Sequence, residues 1–134
     1  MAFEPQLMIE TELPISFKVA DGAAIPKGSF LKLTESMTAI IHSGSNDKCA
    51  GILAEEKILN NGQVTRPVYM GGIFKGTAAA SISVGAALML DGTTNKLITA
   101  TTGTGASGVG YALEAPSGDG QTFLFRLQIG GSVS

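Results

Sequence analysis

An internal repeat is the feature that most limits how this chain of 134 residues can fold. The segment IPKGSFLKL (25–33) aligns with ISVGAALML (82–90), so that the central glycine and the last leucine of each segment coincide. The correspondence continues along the chain at an offset of 57 to 59 residues. We therefore expect two copies of one β-unit, at about 25–70 and 82–128.

The later part of the repeat has the same character. AGILAE (50–55) matches VGYALE (109–114), and NGQ (61–63) matches DGQ (119–121). Insertions of one or two residues fall in turns, where they are tolerated. A single unit of this size leaves an apolar face uncovered, whereas two units can close on each other into a barrel-like body.

Short runs of branched and aromatic residues between turn clusters predict strands throughout the chain. The predicted strands are 15–20, 29–34, 38–43, 49–55, 65–76, 86–90, 96–101, 108–114 and 121–129. Helix evidence is limited to 52–62 and 76–87. The expected fold is a single, compact, mainly β domain over 15–134, barrel-like, with the two-fold repeat inside it and at most one or two short helices.

Composition excludes several classes of partner. The net charge is −2 and no basic run is present, which argues against nucleic acid as the main partner. No apolar run approaches 18 residues, and the N-terminus lacks a basic signal-peptide region, so we expect no membrane segment and synthesis in the cytoplasm. Charged residues make up 15% of the chain, against about 25% in average proteins. This low charge favours a surface partly buried against other subunits.

A glycine-rich stretch at 99–110 spells G-x-G-x-x-G, the spacing of a dinucleotide-binding loop. That site requires a helix to begin at the last glycine, so that the pyrophosphate meets the helix N-terminus. Here the loop continues into a predicted strand, and it contains no lysine. We therefore expect a flexible hairpin loop, and we predict that 102–108 binds no nucleotide. We also expect the protein to have no small-molecule substrate.

Nothing else in the chain assembles a catalytic or metal site. Glu55 and Glu56 point to opposite faces of a strand, which makes them poor acid–base partners. Cys49 is the only cysteine, and His42 is the only histidine and is expected at the surface. The prediction is a protein that is not an enzyme and that has no cofactor and no metal.

The first fourteen residues, MAFEPQLMIETELP, lie outside the repeat. They are too apolar for an ordinary solvated tail, and their candidate contact residues are Phe3, Leu7, Met8 and Ile9. Two arrangements remain open, and both can hold together. The segment 1–14 is an edge strand of the domain's own sheet or an arm that adds to a partner's sheet, and in the combined arrangement 1–8 is the arm and 9–20 is a strand.

Several stretches resemble a known family. VADGAAIPKGSFLKLT, AGILAEEKILNNGQVTRPVYMGGIFKG, ISVGAALMLDG, GVGYALEA and GQTFLFRLQIG are similar to tailed-phage capsid decoration (cement) proteins, which are related in architecture to the lambda head decoration protein. The resemblance covers about 15–129 and rests on spaced glycines. It implies a β-tulip or barrel-like domain that forms a homotrimer on the outer capsid surface of the virion. There it would clamp neighbouring major capsid proteins, often through an N-terminal arm.

Two other classes of protein compete with this interpretation. One is a receptor- or glycan-binding β-module of a phage tail or fibre, which needs exposed aromatic side chains on its loops. The other is a small β-barrel enzyme, which needs at least one acid–base pair or metal cluster. The loops of this chain consist mainly of Gly, Ser, Thr and Asn.

Overall fold

The computed structural model describes residues 3–43, 49–91, 94–100 and 109–129. These ranges contain strands and turns but no helix, so the mainly β fold class is confirmed. The strands are β1 (Gln6–Ile9), β2 (Ile15–Lys18), β3 (Phe30–Glu35), β4 (Thr38–Ile41), β5 (Cys49–Leu53), β6 (Thr65–Tyr69), β7 (Gly71–Ala78), β8 (Ala87–Leu90), β9 (Lys96–Thr99), β10 (Gly110–Ala112) and β11 (Thr122–Gln128).

The strands form two closed five-stranded barrels with the same strand order. Barrel 1 is ordered β2-β4-β3-β5-β6 and closes between β6 and β2. Barrel 2 is ordered β7-β9-β8-β10-β11 and closes between β11 and β7, while β1 adds to β7. In each barrel one pairing is parallel, β2 with β4 and β7 with β9, and the other pairings are antiparallel.

The registers of the two barrels also correspond. Phe17 lies opposite Arg66 in barrel 1, and the equivalent residues Gly76 and Phe123 lie opposite each other in barrel 2. The duplication therefore begins earlier than the sequence alignment indicates. It includes β2 and β7, whose side chains share little beyond their alternation.

The predicted strand 65–76 breaks at Met70, because the chain leaves barrel 1 after β6 and enters barrel 2 with β7. The helix considered at 52–62 is absent. Ile52 continues β5, and the backbone of Lys57 forms an isolated antiparallel bridge with Ile25, which holds this segment extended. The segment 76–87 ends β7 and continues in turns.

The core consists of two apolar clusters. The smaller fills barrel 1 and contains Phe17, Ile25, Leu31, Ala39, Ala50, Leu53 and Val68. The larger fills barrel 2 around Phe74, Leu88, Leu97, Phe123 and Phe125, and it also takes in Phe30, Cys49 and Ile52 from barrel 1. The outer wall of barrel 1 therefore packs against barrel 2 and joins the two bodies.

Polar contacts reinforce this seam between the barrels. The backbone N–H of Phe30 donates to Oδ1 of the buried Asn95 at 3.1 Å. The Nε2 atom of His42 lies 2.5 Å from the carbonyl oxygen of Thr94, and only 2% of His42 is exposed. The expectation of a surface histidine was wrong, because the turn that carries His42 is covered by barrel 2.

Candidate interaction surface

The N-terminal segment contributes an edge strand to barrel 2. β1 pairs antiparallel with β7 along Ile73–Lys75, with a register shift between Leu7 and Ile9. The other edge of β7 pairs with β11, so β1 and β9 share one edge of this strand. Within the described ranges, no strand pairs with the outer edge of β1.

Residues before and within β1 tie the segment to both barrels. Pro5 is buried, and Leu7 is half-buried against the large core cluster. A Cβ placed on Gly28 of barrel 1 would lie 2.9 Å from the Cβ of Glu4, so the segment fits closely only because residue 28 is glycine. The segment thus lies across the seam between the barrels.

A hydrogen bond fixes the chain after β1. The Tyr69 hydroxyl donates to Oε2 of Glu10 at 3.2 Å. Burial, with the Glu10 carboxylate as the second cause, raises the pKa of this hydroxyl above its usual range. Tyr69 therefore remains a neutral donor at physiological pH, and the contact holds the end of β1 near barrel 1.

The four candidate contact residues are placed differently. Met8 and Ile9 are exposed, whereas Leu7 is committed to the chain's own core. Phe3 is half-exposed, has a positive φ of 64°, and its ring centre lies 4.4 Å from Nζ of Lys96. The edge-strand arrangement is therefore present, and contact of these residues with a partner stays a prediction.

A buried lysine, which the sequence patterns did not indicate, closes one end of barrel 1. The ammonium of Lys57 donates to Oδ1 of Asp21 and Oδ1 of Asn61, both at 2.9 Å. It also contacts the main-chain carbonyls of Asp21 and Ile58. The hydrogen bond from Lys57 lowers the pKa of Asp21, although burial partly opposes this shift. These acceptors take up all the donor positions of the ammonium, so the cluster is structural rather than nucleophilic.

The described residues contain no group of three His, Cys, Asp or Glu side chains that could hold a metal ion. Glu55 and Glu56 are both exposed, and Glu55 accepts a hydrogen bond from Arg66 at 2.6 Å. The loop at 102–108, which we predict to bind no nucleotide, lies outside the described residues. The next element along the chain is β10, which is a strand and not a helix. None of the described segments is a helix of the length and hydropathy needed to span a bilayer.

The chain matches the family model described as phage cement protein over residues 9–127. This span runs from the last residue of β1 to the penultimate residue of β11, and so includes both barrels. No match was found among curated proteins. Because the family model covers most of the chain, the protein belongs to the phage cement protein family.

Proposed function

We propose that this protein decorates the outer surface of a phage capsid, where it bridges neighbouring major capsid proteins as a homotrimer and stabilises the shell. Membership of the phage cement protein family supports a place on the capsid.

The observation that carries the proposal is the position of β1. An edge strand presents unpaired main-chain groups, and an extended segment of a partner can pair with them. Here the outer edge of β1 has no partner among the described strands, and exposed Met8 and Ile9 lie on the same strand. Apolar side chains beside an unpaired edge are suited to strand addition by a shell protein.

The proposed activity is adhesion, without catalysis. Burial of apolar surface contributes about 25 cal/mol per Å² of contact, reduced by the cost of ordering the partners. Attachment of a trimer at several points raises the overall affinity well above that of a single contact. A subunit that binds only the closed, expanded shell stabilises that state by mass action.

The test is co-sedimentation with expanded capsids, using a variant that changes only exposed side chains. The double substitution Met8→Gln/Ile9→Thr removes apolar surface but keeps an unbranched and a β-branched side chain, respectively. We expect the folded variant to lose most of its binding to capsids. Deleting 1–12 is a weaker test, because it also removes Pro5 and Leu7 from the chain's own packing.

The matched control is Val64→Thr, the same type of change at an equally exposed residue just before β6. This variant should sediment with capsids as the parent protein does. Full binding by Met8→Gln/Ile9→Thr would exclude β1 as the capsid contact. Loss of binding by both variants would show that the effect is not specific to β1.

A further inference from the structure

The two barrels of the chain contact each other through unlike surfaces. Barrel 1 contributes its outer wall, since Phe30 and Ile52 point away from their own barrel and join the core cluster of barrel 2. Barrel 2 contributes one of its ends. The Phe30 ring lies 6.4 Å from the ring of Phe125, which stacks on Phe74 at 6.1 Å, and the Phe30 N–H is bonded to Asn95.

The end of barrel 2 that receives this wall is formed by Phe74 in the first half of β7, the last residue of β8 and the residue before β9. These positions lie together because β7 and β9 are parallel and β8 is antiparallel to β9. We call this the capped end of barrel 2. A contact between two different surfaces of duplicated units is heterologous. Barrel 1 uses its wall and barrel 2 uses its end, so the equivalent end of barrel 1 and the equivalent wall of barrel 2 take no part in this contact.

Barrel 1 has the equivalent end, and it is not covered. Three residues at this end of barrel 1 have buried equivalents in barrel 2. Two are matched by strand register, and the third pair is matched because each residue directly precedes its strand, β4 or β9. The pairs, with the exposed fraction of each residue, are Ile15 (44%) with Phe74 (1%), Leu33 (41%) with Leu90 (1%), and Met37 (51%) with Asn95 (0%). An apolar surface is thus exposed on barrel 1 where its equivalent on barrel 2 is sealed.

Barrel 2 likewise has an unused copy of the wall. The residues equivalent to Phe30 and Ile52 are Ala87 and Tyr111. Phe30 lies opposite Ile52 across β3 and β5, and Ala87 lies opposite Tyr111 across β8 and β10. Both are exposed on the outer face of β8 and β10. The chain therefore carries one uncovered end and one uncovered wall, and these are the same two kinds of surface that meet inside it.

We infer that the exposed end of barrel 1, formed by Ile15, Leu33 and Met37, binds the β8–β10 wall of barrel 2 in a second copy of this chain. The contact repeats between copies the arrangement found within one copy. Successive head-to-tail contacts of this kind close into a ring when the rotation allows it. The inference adds an interface to the proposed homotrimer, but it rests on the comparison of the barrels and not on capsid binding.

The backbone at Met37 gives independent support. Met37 has a φ of 51°, in the left-handed region that L-residues other than Asn and Asp seldom adopt. An exposed methionine there is costly for a free surface, because asparagine or glycine would relieve the strain. The same side chain is useful if it is buried by a neighbouring copy, since methionine adapts its shape to an apolar partner.

Paired cysteine variants of the purified protein test the geometry without capsids. Met37→Cys and Ala87→Cys correspond to Asn95 and Phe30, whose side-chain oxygen and main-chain nitrogen are 3.1 Å apart inside the chain. Under mild oxidation, a mixture of the two single variants should form a disulfide-linked dimer, and neither variant alone should. The native Cys49 is buried and does not compete. Equal crosslinking of either variant with itself, or none in the mixture, would overturn the inference.

A second measurement uses light scattering of the full chain. Met37→Asn removes the apolar side chain but suits a positive φ. It should therefore lower the association constant of the oligomer at least several-fold, which light scattering detects as a lower mass at the same concentration, without lowering Tm. Leu59→Asn, an equally exposed leucine outside this end, is the matched control and should leave the oligomer intact. A parent protein that is monomeric at every concentration, or an unaffected Met37→Asn oligomer, would contradict the inference. Either result leaves capsid binding through β1 to be judged separately.

Discussion

Gly51 and Gly110 occupy the same position in the two barrels, and each is pressed against the main-chain carbonyl of the neighbouring strand. A Cβ on Gly51 would overlap the carbonyl oxygen of Tyr69, and a Cβ on Gly110 would overlap that of Arg126. Both glycines have a positive φ, 140° and 157°. These two of the spaced glycines that revealed the repeat are therefore required by close strand packing.

We expect Gly51→Ala and Gly110→Ala each to lower the free energy of unfolding by about 2 kcal/mol or more, because the backbone must shift to admit a methyl group. Gly22→Ala and Gly118→Ala are the controls. An added Cβ meets nothing within 4 Å at either site, so the change should stay within about 0.5 kcal/mol. Urea unfolding of the four variants gives the comparison, and equal effects at all four positions would contradict it.

The buried ammonium of Lys57 should contribute strongly to stability. Lys57→Met keeps the apolar stem but leaves the partly buried acceptors around the ammonium without a donor, at an expected cost of about 1–3 kcal/mol. The control is Lys96→Met, which removes an ion pair with the exposed Asp119 and a contact with the exposed Phe3 ring, and should cost less than about 1 kcal/mol. Chemical denaturation measures both, and a Lys57→Met cost no larger than that of the control would refute the assignment.

Acid should weaken the Lys57 cluster through Asp21. Because Lys57 lowers the pKa of Asp21 in the folded state, the stabilisation is fully present above the pKa of an unfolded aspartate, about 3.9, and is lost as pH falls through the lower, folded pKa. Asp21→Asn should be less stable at neutral pH but should lose less stability below about pH 4. The readout is the urea midpoint as a function of pH. Parallel curves for the parent and variant would argue against this role.

The polar seam between the barrels can be tested at Asn95. Asn95→Leu keeps the approximate size of the side chain but leaves the buried N–H of Phe30 without its acceptor, at an expected cost of about 1–3 kcal/mol. Gln63→Leu removes an exposed amide that accepts a hydrogen bond from Asn61 at 2.9 Å, and should change stability by less than about 0.5 kcal/mol. Thermal unfolding of both variants distinguishes the buried seam from the surface. Comparable Tm values would show that Asn95 does not hold the barrels together.

The repeat could be found in the sequence because glycine positions are dictated locally, by turns and by strand contacts that both units share. Its first strand could not be found in this way. β2 has the sequence ISFK and contains no glycine, so a match of spaced glycines cannot align it with β7.

The burial of His42 at the seam and of Lys57 at the end of barrel 1 could not be predicted from the local sequence either. His42 meets Thr94, and Lys57 meets Asp21, across separations of 52 and 36 residues. Both contacts depend on how closed barrels and their turns pack together. The apolar N-terminus was recognisable from composition, but only strand pairing shows that Leu7 turns inward while Met8 and Ile9 remain outside.

The most direct test of the central claim is the temperature at which expanded, DNA-filled capsids release their DNA, measured with and without saturating amounts of this protein. We expect the protein to raise the release temperature, because a ligand of the closed shell opposes the separation of neighbouring subunits. The Met8→Gln/Ile9→Thr variant should give no comparable increase. An unchanged release temperature on capsids that carry the bound protein would contradict a stabilising role.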